Sequence, residues 1–133
     1  DTVLSVVEKG WRMVPAGDPK MSDVVVTVPK WFWPKWIAEG DAAGDPSSGQ
    51  EWIFYLNSRP DIEPGERVYI VAHGKLRGYS PLIEWADIAP RGLIRGAGAV
   101  AVTIDERIKG FQGFRYRWWQ YEDEKPFPAW REP

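Results

Sequence analysis

Two runs rich in β-branched and aromatic residues stand back to back from Glu66 to Ile88: ERVYIVAHG and KLRGYSPLIEWADI. Each is short and interrupted by Gly or Pro, which suits strands and not a long helix. The first reads as a strand over 66–74, and the second contains its antiparallel partner. The rest of the chain has the same grain. VVVTV (24–28) reads as a buried strand, and EWIFYLN (51–57), GAVAVTI (98–104) and FRYRWWQY (114–121) as further strands. Turns are expected at Pro64-Gly65 and at APRG (89–92). One short helix is expected from Pro34 to Gly40, because proline suits a first helical turn and glycine an end. DAAGDPSSGQ (41–50) reads as a polar loop. The Pro-rich tail DEKPFPAWREP is expected to lie over the strands through Phe127 and Trp130.

Many short strands with few helices predict a mainly β (α+β) fold: a small, mostly antiparallel barrel with one or two short helices, since closure removes exposed strand edges. A chain of 133 residues is one domain's worth and long enough to bury a core. We place that domain at 21–133. Residues 1–20 precede Met21 and read as an N-terminal extension, native or added for expression, with a short strand in TVLSVV. No basic start followed by an apolar run marks a signal peptide, and no run reaches membrane-spanning length, so a soluble cytoplasmic protein without a membrane partner is expected.

There is no cysteine and His73 is the single histidine. Thiol chemistry, zinc-finger ligation and a Cys-His pair are thereby excluded, and a Ser-His-Asp arrangement would have to use His73. No metal or cofactor is expected. Net charge is −2, so the chain is not globally basic, yet from Arg67 to Arg117 nine Lys and Arg residues meet only Glu84, Asp87, Asp105 and Glu106. That permits a basic face.

Nine tryptophans are the strongest oddity. Tryptophan holds flat ligands and partners, and it also fills small barrels. In WFWPKW (31–36) the prolines restrict the backbone, so Trp31, Trp33 and Trp36 form either an aromatic wall for a base or a plug at one barrel end. In GFRYRWWQY, strand alternation puts Phe114, Tyr116 and Trp118 on one face and Arg115, Arg117, Trp119 and Tyr121 on the other. The first face reads as core. The second reads as an exposed row able to bind phosphate and stack on bases, or as solvated partners of acids. Ser47, Ser48 and Gln50 in the polar loop can read base edges, or simply be solvated. Lys75, Arg77 and Tyr79 on the hairpin can touch a phosphate backbone, or form a solvated tip. A lone histidine such as His73 is more often structural than catalytic.

IEPGERVYIVAHGKLRGYSPLIEW resembles the central hairpin of PUA-like domains, the superfamily that includes the ASCH and EVE families. The order of VVVTV, PKWIAEG, EWIFYL, the hairpin and GAVAVTI agrees, and the resemblance covers roughly residues 22–120. It implies a pocket between the helix and the barrel, formed by loop 40–51 and the Trp31–Trp36 region. One departure stands out. Where ASCH domains often carry Gly-x-Lys-x-x-Glu-x-Arg, this chain has EGDAAGDPSSGQEWIFYLNSR, which lacks the lysine and retains Glu51 and Arg59 as counterparts.

Three functions follow as expectations. The first is a nucleic-acid-binding module, a reader of RNA or of modified DNA bases through an aromatic pocket. The second is a nucleoside- or RNA-directed hydrolase, with Glu51, Lys35, His73 and Asp41 as the acid-base candidates. The third is a protein-interaction domain anchored by exposed tryptophans.

Overall fold

The computed structural model describes residues 2–5, 12–15, 22–38, 52–87, 91–96 and 99–132. Near the start, β1 (Thr2–Ser5) and β2 (Arg12–Pro15) pair antiparallel, Thr2 opposite Pro15. The main body follows as β3 (Val24–Thr27), α1 (Trp33–Ala38), β4 (Trp52–Tyr55), β5 (Arg67–Ala72), β6 (Lys75–Ala86), β7 (Gly92–Arg95), β8 (Val102–Thr103), β9 (Phe114–Tyr116) and β10 (Lys125–Pro126). Six strands form one curled half-barrel sheet in the order β4-β7-β6-β5-β3-β9. Only β3 and β5 pair in parallel; the other neighbours are antiparallel. The fold is mainly β, as expected. The sheet is open among the described residues, with β4 and β9 at its ends. No described helix is long and apolar enough to cross a membrane.

The curl comes from β6. This strand of 12 residues pairs with β5 through Lys75–Pro81 and with β7 through Leu82–Ala86. Register shifts at Ile70/Val71 and at Leu82/Glu84 break both ladders. Such irregularities bend a strand and increase its twist. Gly92 allows β7 to sit tight against β4, because a side chain there would collide with the Phe54 carbonyl oxygen. GLIR was not expected as a strand; its Gly92 reads as the end of the APRG turn, and residues 93–95 carried no expectation.

Both faces of the sheet centre are buried, so VVVT is a continuous apolar run and does not alternate. Val24, Val26, Val68 and Ile70 face one core with Trp33 and Trp130. Val25, Tyr69, Val71 and Leu76 face the other with Ile108 and Trp119. Each fully buried aliphatic side chain contributes about 1.5–3 kcal/mol. The Pro29 carbonyl accepts from the Phe32 and Trp33 amides and turns the chain into α1, which begins one residue before the expected Pro34. Trp33 packs edge-on against Trp130 at 6.3 Å and donates from Nε1 to the Arg131 carbonyl (3.2 Å). The tail is thereby fastened over one core, as read from Phe127 and Trp130.

The alternation expected for FRYRWWQY ends at Tyr116. Beyond it the Arg117 amide donates to the Asp23 carbonyl (2.8 Å), and Arg117 and Trp119 turn inward. Their expected exposure is corrected. Arg117 Nε pairs with Asp23 Oδ2 at 3.0 Å, and Tyr121 donates to the same oxygen. Trp119 Nε1 donates to Glu124 Oε2 (2.8 Å), whose carboxylate also pairs with Arg67 and accepts from the Tyr69 hydroxyl. Burial, reinforced by the hydrogen bond to Glu124, pushes the Tyr69 phenol well above its ordinary pKa. A buried network this well satisfied fixes the packing of a core.

Candidate functional site

The structure divides the predicted site residues into three groups. Trp33, Arg77, Arg117 and Trp119 are interior. Arg77 is fully buried: its Nε donates to the Ala72 carbonyl (2.9 Å), and Nη1 donates to the Trp130 (3.3 Å) and Glu132 carbonyls. Trp31 (80 % exposed), Lys35, Arg59, Lys75 and Arg115 are at the surface, and His73 is half-buried. Ser47, Ser48, Gln50 and Glu51 lie outside the described residues, as does the side chain of Trp36. Lys75 and His73 are brought together; Trp31, Arg59 and Arg115 do not join them in one cleft.

What does converge lies along a seam between the end of β3 and the loop leading into β9. The Phe111 amide donates to Thr27 Oγ1 (3.4 Å), and Gly110 sits so close to Thr27 that an added Cβ would meet its methyl at 3.3 Å. One cleft opens on each side of this seam. Thr27, Pro29 and residues 111–113 border the first; Lys30 and residues 108–110 border the second.

The first cleft, about 560 Å³, has aromatic walls from Phe54, Tyr55 and Phe111, with Asn57, Gln112 and Arg91 at its polar positions. Tyr55 is 60 % exposed at the end of β4. Phe111 is braced by Arg115, whose guanidinium carbon lies 4.4 Å from the ring centroid. Exposed aromatic faces beside side-chain amides can stack a planar ring and hydrogen-bond its edge.

The second cleft, about 660 Å³, is cationic. Lys30, His73, Lys75, Arg107 and Lys109 line it, and no carboxylate does among the described residues. It is built around the β5–β6 turn. Ala72 pairs with Lys75, leaving His73 and Gly74 as the turn, both at positive φ (50° and 75°). Two successive left-handed residues are the pattern of a type I′ hairpin turn. Arg107 is laid over Gly74, where an added Cβ would meet Nη2 at 2.9 Å. The Ile108 amide donates to the Gly74 carbonyl (2.9 Å) and fixes the loop to the turn. Ile108 is buried, so the residues on either side of it, Arg107 and Lys109, remain exposed. The His73 pKa is lowered, first by desolvation and then by Arg77 and Lys30. Burial is the larger cause, and the two neighbouring cations act in the same sense.

Sequence reasoning did not single out Lys30, Phe54, Tyr55 or Phe111, and counted Arg107 and Lys109 only among the cations of the basic stretch 67–117. RIK in IDERIKG carried the one readable signal, two cations flanking an apolar residue. Among the nine tryptophans, Trp33, Trp85, Trp119 and Trp130 are buried, whereas Trp31 and Trp118 are exposed. No protein family, curated protein or solved structure matches the chain.

Proposed function

We propose that this chain is a nucleic-acid-binding module that engages single-stranded RNA or DNA. The observation that carries the reading is the shared seam: an aromatic cleft and a cationic cleft abut across Thr27 and Phe111. A nucleotide is a flat ring joined to an anion, and it can place one part on each side. Aromatic stacking is worth about 1–3 kcal/mol per base and tolerates any base. Asn57 and Gln112 supply the edge contacts that would favour one base, plain or modified. Cations in the second cleft supply the charge for phosphate. We keep the PUA-like assignment as part of this proposal, supported by the curled, mostly antiparallel sheet with one short helix.

The test is a tryptophan- and tyrosine-fluorescence titration with short single- and double-stranded DNA and RNA at low and high salt. Binding to single strands that weakens as salt rises is expected. Failure of every oligonucleotide to bind at low salt would sink the reading.

A further inference from the structure

We propose that the cationic cleft is a phosphomonoester site, and, resting on the nucleic-acid reading, that it takes the terminal phosphate of a strand in preference to an internal phosphodiester. Two observations carry this. The first is charge. Lys30, Lys75, Arg107 and Lys109 converge on one cleft with His73 among them, and no described carboxylate offsets them there. An internal phosphodiester brings one negative charge, whereas a terminal phosphate brings about −1.5 to −2 near neutral pH and three acceptor oxygens.

The second is what lies beyond. Lys75 and Arg107 also border the next depression, where Asp105 and Glu106 face them. Past those, Asp105, Glu106, Glu122 and Asp123 line another hollow. Asp105 pairs with Lys125, and Glu106 accepts from Trp118 Nε1 (2.9 Å), so these carboxylates are held in place. A strand continuing past Lys75 and Arg107 would first cross a depression whose carboxylates, Asp105 and Glu106, are offset by Lys75, Arg107 and Lys125, and would then meet the hollow in which four carboxylates have no cation among the described lining. On the aromatic side no described carboxylate lines the cleft; Asp87 stands beside it, paired with Arg91 at 3.7 Å. The surface thus accepts a polyanion from one direction and halts it.

The experiment compares one single-stranded sequence with a phosphate on the 5′ end, on the 3′ end or on neither, alongside a nucleoside monophosphate and inorganic phosphate. The proteins are the wild-type chain, Lys109→Glu, and Asp105→Asn with Glu106→Gln; all three positions are exposed, so folding should persist. A terminal phosphate at one end should tighten binding about tenfold or more, as charge-assisted hydrogen bonds do. Lys109→Glu should abolish the gain. The Asp105/Glu106 pair of substitutions should shrink it by letting unphosphorylated strands run through. Equal affinity for all three strands overturns the inference and leaves the nucleic-acid reading standing. Binding of the monophosphate with no oligonucleotide bound upholds the phosphomonoester site and overturns the strand. Binding of none overturns both.

Discussion

At the scale of single residues, the turn is where local geometry and function meet. Gly74 has φ +75°, and its missing side chain makes room for Arg107. Gly74→Ala should therefore cost roughly 1–2 kcal/mol in a urea titration, from the left-handed strain alone. It should also weaken phosphate binding, because Arg107 must move. His73 gives a second prediction. Desolvation first, then Arg77 and Lys30, depress its pKa; Lys75, Arg107 and Lys109 line the same cleft. The unfolded chain, with an ordinary histidine pKa of about 6.5, takes up this proton first as pH falls. Stability should therefore be highest above that value and decline as pH drops from about 6.5 toward the folded pKa. Histidine NMR reads this cleanly, since there is one histidine. The midpoint should lie below 6.5, and Lys30→Ala should raise it; a midpoint at or above 6.5 would refute the depression, and no response to Lys30→Ala would refute the part assigned to charge. None of this was legible from His73-Gly74 alone. The dipeptide marks a turn, but the cations arrive from Lys30 and from 107–109, distant in sequence.

At the scale of elements, the chain announced its strands better than their limits. ERVYIVAHG and KLRGYSPLIEWADI became β5 and β6 because both patterns are long and their turn chemistry is strong. GLIR escaped notice because it is four residues long and bounded by glycines, and its pairing with β4 and β6 is a tertiary fact. FRYRWWQY misled because alternation holds only while a strand is paired; β9 pairs with β3 for three residues and then stops. Arg117 next follows Asp23, an acid at the mouth of the VVVTV run whose partner the sequence did not disclose. Both side chains are almost fully buried. Removing one partner strands the other charge, so Asp23→Ala should cost about 3–5 kcal/mol in chemical denaturation. A loss under 1 kcal/mol would mean that the network is solvated. The tail is an element held the same way, by Arg77 and by Trp130 against Trp33. Trp130→Ala should destabilise by roughly 3–5 kcal/mol, with a red shift of the remaining tryptophan emission as Trp33 becomes exposed.

At the scale of the whole molecule, a net charge of −2 hides a division. The cations of the β5–β6 turn, Lys30 and the 107–109 loop form one patch, and Asp105, Glu106, Glu122 and Asp123 form another beside it. The aromatic cleft lies on the far side of the cationic one. Stacking and charge are therefore carried by different residues, and salt can separate them. Each single-strand phosphate neutralised contributes about −0.7 to the slope of log K against log salt. Lys109→Ala should flatten that slope by roughly this amount and lower affinity most at low salt. Phe111→Ala should leave the slope unchanged and lower affinity by about 1–3 kcal/mol at every salt concentration. Measured in one titration series, the two variants should produce lines that converge with the wild type at high salt for lysine and run parallel to it for phenylalanine. Parallel lines for both would mean that Lys109 meets no phosphate, and the two clefts would then not share one ligand.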